Sequence, residues 1–389
     1  MALTSELIAQ ALLAVKSLPH EPRAEAPVAG AGTTIAIPSQ ASLLMCRAAC
    51  QDPGATVVVM DRVLPAFVEA LPDGVHQVSL PTPFRVGSVN CYVLLERPVT
   101  VLDPGTLQPG SLATLRGLLK AHGRDFDDIE QVIVTHHHAD HCGAAAVLAA
   151  RAGARIVCGA PEVPRLLQPA DVQSRHDLLI GLGVPDDVAR SVIAGADAAV
   201  ERVVRRPRQS MVTSVHDGDV LWAGGRPLRC MVTPGHAEGH LSLWDPAASV
   251  LFSGDHLLSR IIPVSSLDDR DALGRRRRSF VEYLASLARF MALEPDVVLP
   301  GHGRAFTEVD LLAARVRSHS QERAEQIETM LRAGPATPFQ LARRLQWQPE
   351  GARLLLGLAH AQAHLDLLEE AGRVVFDDDG ARVRYRLPG

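Results

Sequence analysis

One short segment of the chain holds an unusual density of metal-ligating side chains. The apolar run 132–135 is followed by His136, His137, His138, Asp140 and His141. Burying several imidazoles beside a core strand costs free energy unless their nitrogens are satisfied. A metal ion would satisfy them, because imidazole and carboxylate are common ligands of zinc and neighbouring metals. Alternation points His136 and His138 the same way, so we expect them to bind one ion while Asp140 and His141 turn to a second.

Three further segments repeat one local pattern, an apolar strand followed by glycine and then by a potential ligand. They end at His236, Asp255 and His302. Glycine allows a sharp backbone turn, which aims the next side chain over the end of the strand. We therefore expect four strands to deliver polar side chains to one rim of a sheet, where α/β proteins generally build their sites.

These motifs resemble the metallo-β-lactamase superfamily, over about residues 80–305. The His136-x-His138-x-Asp140-His141 segment matches the signature loop, and His236, Asp255 and His302 follow in the family's order. The resemblance implies an αββα sandwich of two sheets between helices. It also implies that His136, His138 and His236 hold a first metal, that Asp140, His141 and His302 hold a second, and that Asp255 bridges both. Asp103 would be the acidic residue that the family keeps near the site.

The same resemblance implies a hydrolase with two divalent metal ions as cofactors. Zinc is the first expectation, with iron and manganese as alternatives. Two cations about 3.5–4 Å apart lower the pKa of a shared water to near neutrality. We expect the resulting metal-bridging hydroxide to attack a small ester, thioester or lactone. Asp140 and Asp255 are the expected catalytic residues, since Asp140 could also accept a proton and Asp255 would hold both ions.

Several nearby side chains have two interpretations. His137 should point away from its neighbours, which favours a packed or hydrogen-bonded role over metal ligation. His240 and His256 lie outside the family's ligand pattern but could contact substrate. Tyr283 could donate a hydrogen bond to an oxyanion, although a tyrosine on a helix surface is the simpler expectation.

The elements that position these residues are short β-branched strands that alternate with helices, typical of a layered α/β domain. Predicted strands cover 90–95, 99–102, 132–135, 155–158, 228–233, 250–253 and 297–299, and predicted helices include 112–122 and 143–152. We place the catalytic domain at 77–310. Residues 160–215 show mostly helical sequence and no clear strand, which predicts an insertion that acts as a lid or substrate wall.

The two ends of the chain have a different texture. Residues 311–389 predict three helices and a two-stranded hairpin, which is the pattern of a winged-helix domain. Residues 1–76 form an N-terminal extension of unknown role. A catalytic domain with a terminal winged helix resembles the group that includes the β-lactamase-like protein 2 endoribonucleases and relatives of glyoxalase II.

An alternative function follows from that group, namely a single-strand-specific endoribonuclease. The four arginines at 275–278 could bind the phosphates of RNA or of a coenzyme, although a solvated charged loop is the commoner role for such a run. Only Arg343 and Arg344 make a basic pair on the predicted recognition helix. Because acidic residues follow at Asp366, Glu369 and Glu370, we expect this domain to dock against the catalytic domain or a second subunit.

Bulk composition supports a small-molecule hydrolase. The 389 residues are 47% hydrophobic and 21% charged, with a formal net charge of −5, which disfavours a protein built mainly to hold phosphate backbones. The six cysteines lie mostly in apolar runs and are expected to be reduced, buried thiols. We therefore expect a cytoplasmic protein with a small-molecule substrate, no membrane association, RNA as a second-choice partner, and a homodimer as an open alternative.

Overall fold

A computed structural model describes residues 66–389 apart from 69, 268–273 and 346–351. The predictions for residues 1–65, including Cys46 and Cys50, fall outside the described residues. The other four cysteines are buried and free, as the sequence predicts. None of the described helices is both long enough and apolar enough to cross a bilayer.

The first sheet has six strands in sequential order, β1 to β6. Its strands are β1 (Val75–Leu80), β2 (Val89–Leu94), β3 (Thr100–Leu102), β4 (Gln131–Ile133), β5 (Arg155–Gly159) and β6 (Val212–Val215). Strands β1 to β3 pair antiparallel, and β3 to β6 pair parallel. The parallel part directs the ends of β4 and β5 to the same edge.

The second sheet has five strands in the order β11-β10-β9-β8-β7. Its strands are β7 (Val220–Ala223), β8 (Arg226–Val232), β9 (Leu241–Asp245), β10 (Val250–Gly254) and β11 (Val297–Pro300). Only β10 and β11 pair parallel. Strands β1, β6, β7 and β9 were not among the predicted strands. Both β6 and β7 are edge strands of only four residues with two exposed positions each, so their sequence signal is short.

Helices lie on the outer faces of both sheets and also pack with one another in a separate helical group. They are α1 (Pro109–Ala121), α2 (Ala139–Cys142), α3 (Ala145–Ala152), α4 (Val163–Leu167), α5 (Val172–Gly181), α6 (Asp186–Glu201), α7 (Ser279–Met291), α8 (Val309–Leu331), α9 (Pro338–Arg344) and α10 (Ala352–Glu370). One core joins the first sheet to α1 and α3, a second lies between the two sheets, and a third joins the second sheet to α7 and α8. This layering confirms the expected αββα sandwich.

The insertion at 160–215 packs differently from the expected lid. Helices α5 and α6 share a core with α8, α9 and α10, in which Leu179 and Ile193 pack with Ile327, Leu341 and Leu358. The reason is amphipathic pairing: the apolar faces of α5 and α6 find partners in the C-terminal helices rather than over the sheet edge. Glu162 near its start and Arg205 near its end contact the histidine-rich loop, the latter through the carbonyl of Gly143.

The C-terminal segment contains the predicted elements in order. Helices α8, α9 and α10 precede an antiparallel hairpin of β12 (Val375–Asp378) and β13 (Val383–Arg386). Thr337 caps α9 in a reciprocal capping box with Gln340, and Pro338 begins the helix. The backbone of Ala336 bonds to that of Tyr385, which ties the hairpin to the start of α9.

Candidate metal centre

The seven predicted ligands lie together at the ends of four strands that belong to both sheets. Strand β4 of the first sheet precedes the histidine-rich segment, while β8, β10 and β11 of the second sheet precede His236, Asp255 and His302. The expectation of one sheet rim was therefore wrong in detail. The adjacent edges of two stacked sheets supply the side chains, which lets them converge from opposite sides.

Two glycines make this convergence sterically feasible. Gly254, immediately before Asp255, has a φ of +50°, and Gly301, before His302, touches the cluster directly. A Cβ at Gly301 would lie 2.3 Å from Asp255 Oδ1 and 2.8 Å from His141 Cε1. Gly254 thus provides turning freedom before Asp255, and Gly301 leaves room for the ligands.

Three imidazoles form the first half of the centre. His138 Nδ1 lies 2.9 Å from His136 Nε2 and 2.9 Å from His236 Nε2. Their ring centroids are 4.6–4.8 Å apart. Three ring nitrogens that converge in this way form a compact set of donors for one ion.

The second half combines imidazoles with carboxylates. Asp140 Oδ2 lies 3.3 Å from His302 Nε2, and these two residues form a further potential ligand group with His141. Asp255 lies between the two halves. Its Oδ1 is 3.4 Å from His141 Nε2, and its Oδ2 is 3.5 Å from His302 Nε2 and 3.7 Å from His236 Nε2. The structure therefore brings all seven predicted residues together, with Asp255 in the position suited to a bridge.

Unsatisfied buried atoms test whether this cluster fits a metal. His141 Nε2, His302 Nε2 and Asp255 Oδ1 are buried and have no hydrogen-bond partner among the described residues. Leaving a buried polar atom unpaired costs about 1–3 kcal/mol. All three atoms point into the same cluster, so cations placed there would satisfy them together. The donor set fits a pair of metal ions.

Oxygen acceptors orient four of the imidazoles. Asp103 Oδ2 lies 2.8 Å from His141 Nδ1 and also accepts from Thr135 Oγ1, whose oxygen lies 2.9 Å from His136 Nδ1. The carbonyls of Val264 and Ser88 each lie 2.7 Å from Nδ1 of His236 and His302, respectively. An acceptor at Nδ1 places the proton there and leaves the Nε2 lone pair facing the centre. Asp103 thus has the supporting place that the resemblance implies.

The electrostatic field around the second half favours cations. Burial alone would lower the pKa of His302, but the nearby carboxylates of Asp140 and Asp255 raise it to about 9. Burial would also lower the pKa of His141. The carboxylates of Asp255 and Asp103 together raise it well above its ordinary value. Carboxylates that hold protons on buried imidazoles would also hold metal ions, with the imidazoles then neutral.

His137 does not point into the cluster, in agreement with its predicted hydrogen-bonded role. Glu162 Oε2 lies 2.7 Å from His137 Nδ1 and accepts from the His137 backbone, and its other oxygen accepts from Gly239 N. Glu162 is fully buried. This carboxylate ties the metal-binding loop to the loop that carries His236. Sequence reasoning missed it because nothing around Glu162 in the chain signals its role.

Three other candidates turn out to be structural. His240 is fully buried and accepts a hydrogen bond from the backbone of Asp255, so its suggested substrate contact is wrong. His256 is equally buried and stacks on Tyr283 at 4.4 Å. Tyr283 is not on the helix surface and is fully buried in the core under the second sheet, where burial raises its pKa. None of these three rings is available to substrate.

The arginine run is engaged in ion pairs rather than solvated. Arg276 Nη1 donates to Asp366 on α10 at 2.8 Å, and Arg278 pairs with Glu369 and Glu370 on the same helix. Arg277 pairs with Glu282 and with Glu238, two residues after His236. The expected solvated loop is therefore wrong, because these arginines join the second sheet's loops to the C-terminal helix.

Comparison with known proteins supports this architecture. The family model described as "Metallo-beta-lactamase superfamily" matches residues 84–302. A "Probable metallo-hydrolase YqjP" from Bacillus subtilis is 29% identical over 324 residues, which span 81% of this chain and 98% of that protein. A "Hydroxyacylglutathione hydrolase" from Rhodobacter capsulatus is 28% identical over 48% of this chain and 59% of its own length. A crystal structure of a metallo-beta-lactamase family protein from Thermus thermophilus is 27% identical, covers 82% of this chain and 100% of its own, and superposes with a TM-score of 0.69.

Proposed function

Because this chain belongs to the metallo-beta-lactamase superfamily and is a metal-dependent hydrolase, we propose that its seven clustered side chains hold two divalent ions, with zinc as the first choice. The first ion would bind His136, His138 and His236, the second would bind Asp140, His141 and His302, and Asp255 would bind both. The observation that carries this proposal is the set of unpaired buried atoms around Asp255. Imidazole-rich sites suit zinc, and iron or manganese would suit the carboxylates.

The chemistry proposed is hydrolysis. When bound, the ions supply a nucleophilic water at neutral pH and polarise the oxygen of the group under attack. Asp140 would orient that water through its carboxylate and hold a proton during transfer. Asp103, Ser88 and Val264 keep the imidazole tautomers fixed while charge changes in the site.

We propose a small ester, thioester or lactone as the substrate. The similarity to a protein named for hydrolysis of an acylglutathione, which is a thioester, supports this class. So does the ion pairing of Arg276, Arg277 and Arg278, since arginines already paired with carboxylates are poor partners for phosphates. The endoribonuclease alternative loses its main sequence support for this reason.

We also propose that residues 77–310 are the catalytic domain and that 311–389 form a winged-helix domain whose role is docking. Helix α10 presents Asp366, Glu369 and Glu370 to the arginines that follow the candidate site in sequence. Arg343 and Arg344 on α9 are exposed, but one basic pair is a small patch for a nucleic-acid interface.

The test is metal analysis of the purified full-length protein combined with a substrate panel of thioesters, esters, lactones and labelled single-stranded RNA. We expect two ions per chain and turnover of one of the small acyl classes, with the RNA left intact. Salt-sensitive RNA cleavage that disappears in an Arg276→Ala, Arg278→Ala double variant would overturn the substrate assignment. A metal-free protein that still hydrolyses an ester would overturn the mechanism.

A further inference from the structure

The candidate metal centre takes its ligands from both sheets, so its dimensions depend on how the two sheets are joined beside it. The first sheet supplies the segment 136–141, and the second supplies His236, Asp255 and His302. Metal–nitrogen bonds are about 2.0–2.1 Å long, and a working site tolerates deviations of only about 0.2 Å. A buried side chain that fixes the distance between the sheets at this point therefore controls how well an ion fits.

Glu162 joins the two sheets beside the first proposed ion. It follows β5 of the first sheet and is fully buried. Its Oε2 accepts from the His137 backbone nitrogen at 2.8 Å, within the histidine-rich segment. Its Oε1 accepts from the Gly239 backbone nitrogen at 2.9 Å, in the loop that carries His236. One carboxylate thus connects the two loops that supply all three histidine ligands of the first ion.

The segment that carries Glu162 also touches the His236 loop through its backbone. A Cβ at Gly239 would lie 2.6 Å from the Glu162 nitrogen, and one at Gly159 would lie 2.2 Å from the Gly239 oxygen. Both distances are shorter than any ordinary Cβ contact. The backbone contact keeps the two loops from moving closer, and the carboxylate keeps them from moving apart.

Asn90 joins the two sheets in the same way beside the second proposed ion. It lies on β2 of the first sheet and is 3% exposed. Its side-chain nitrogen donates to the carbonyls of Pro300 and Gly303, at 2.8 Å each, on the two sides of His302. Its backbone nitrogen donates to the Gly301 carbonyl at 2.7 Å. Asn90 thus holds the turn that presents His302.

The two contacts are separate from each other. Glu162 and Asn90 share no hydrogen-bond partner in the part of the chain that the structure describes. Asn90 Oδ1 accepts from Gln77 on β1, and the Tyr92 hydroxyl donates to the same Pro300 carbonyl as Asn90. The second contact is therefore supported by β1 and β2, whereas the first depends on the loop after β5.

We propose that Glu162 and Asn90 are positioning residues for different ions, Glu162 for the first and Asn90 for the second. Neither is a ligand, and each acts by fixing ligands of one sheet relative to the other. The proposal rests on the proposed function, because it requires two ions among the seven clustered side chains. Loss of either residue should lower the affinity for its own ion by about 10–100-fold and leave the affinity for the other ion unchanged.

Proteins that hold a single ion make the two effects measurable one at a time. His302→Ala should retain the first ion, and His236→Ala should retain the second. Glu162→Gln keeps the side-chain shape but replaces one acceptor oxygen with a donor, and Asn90→Ala removes both side-chain donors. Each is introduced into both full-length single-ion proteins, and Zn²⁺ affinity is measured by competition with a chelator.

We expect Glu162→Gln to weaken zinc binding about 10–100-fold in the His302→Ala protein and to have no effect in the His236→Ala protein. Asn90→Ala should give the opposite pattern. A general loosening of the fold would weaken both ions alike. Equal losses in both single-ion proteins, or no loss in either, would therefore overturn the proposal.

Two matched controls lie at the start of β4, at the opposite end from the ligands. Glu130 accepts from the backbone of Val99 and from Arg97, so Glu130→Gln also weakens a carboxylate that bonds a main-chain nitrogen. Gln131 is a buried amide that joins the sheets through the Trp222 carbonyl, and Gln131→Ala removes it. Neither control should change zinc affinity. Losses as large as those of Glu162→Gln or Asn90→Ala would contradict a specific role.

Milder variants keep the test decisive if the first pair folds poorly. Glu162→Asp retains both acceptor oxygens on a shorter side chain, and Tyr92→Phe removes only one donor to the Pro300 carbonyl. We expect smaller losses, for the first ion with Glu162→Asp and for the second with Tyr92→Phe. The reverse assignment would overturn the proposal. An unmodified chain that binds no zinc would instead overturn the proposed function, whereas two bound ions without selective losses would overturn the positioning roles alone.

Discussion

The carboxylates of Asp255 in the candidate metal centre and of Asp366 on helix α10 are both buried, but they face different partners. Asp366 is paired with Arg276 and accepts from Gln362, so its charge is compensated within the protein. Asp255 is surrounded by imidazoles, one of its oxygens has no hydrogen bond, and no arginine or lysine pairs with it among the described residues. A buried charge needs compensation. At Asp366 the protein supplies this compensation through Arg276, whereas at Asp255 it is left for cations.

The largest effect should follow from removal of the proposed bridge. In Asp255→Ala, both ions lose a shared ligand, and we expect metal content and kcat/KM to fall together, well beyond the ~10–100-fold typical of residues that only orient ligands. Metal analysis and steady-state kinetics measure both. Asp219→Ala, at an exposed carboxylate, is the control. Full activity in Asp255→Ala would show that its buried charge is not compensated by metal.

Removal of Asp366, whose charge Arg276 compensates, should lower the free energy of unfolding and leave metal binding unchanged. Asp366→Ala strands the half-buried guanidinium of Arg276, and breaking a buried pair costs about 3–5 kcal/mol. Urea unfolding of the holoenzyme should show this loss, with two ions still bound in the folded state. If Asp366→Ala left the free energy of unfolding unchanged but emptied the metal centre, the contrast between the regions would be wrong.

A smaller effect is expected at the residue that orients a ligand without touching the ions. Asp103→Asn keeps the shape of the side chain but weakens the acceptor for His141 Nδ1. We expect metal affinity to fall by about 10–100-fold, with partial recovery of activity at high zinc. Zinc titration against a chelator measures this. A loss of activity that added metal cannot restore would instead indicate a direct role in the chemistry.

The smallest effect concerns buried histidines that lack any carboxylate partner. The folded-state pKa of His364, about 3, is below the value near 6.5 of an unfolded chain. As the pH falls below 6.5, the unfolded state therefore takes up a proton that the folded state refuses, and stability decreases toward pH 4. His364→Gln should flatten this dependence by up to about 1.4 kcal/mol per pH unit. An unchanged pH slope would mean that His364 is protonated without cost in the fold.

The sequence predicted the candidate ligands because their signal is local. A strand, a glycine and a ligand lie within a few residues of one another, and Gly254 and Gly301 make the close approach that such a pattern requires. The αββα layers were predictable from the same strands together with the family resemblance. Edge strands β6 and β7 were not, because each has only four residues and exposes half of them.

Asp103 was expected from the family resemblance, but the supporting contacts of Glu162 and Ser88 could not be predicted because they depend on tertiary structure. Glu162 lies 25 residues from His137, and Ser88 lies 214 residues from His302. Tyr283 was misplaced for the same reason: helix α7 is packed between the second sheet and α8, so a position expected at its surface is buried. The partners of the arginine run were likewise visible only once α10 was placed beside it.

The central claim is that cations compensate the charge of Asp255. Anomalous diffraction from crystals of the zinc-loaded protein tests it most directly. The account predicts two peaks, one within about 2.0–2.2 Å of ligand atoms of His136, His138 and His236 and the other equally close to Asp140, His141 and His302, with Asp255 between them. A well-ordered cluster with no peak next to Asp255 after zinc loading would contradict it.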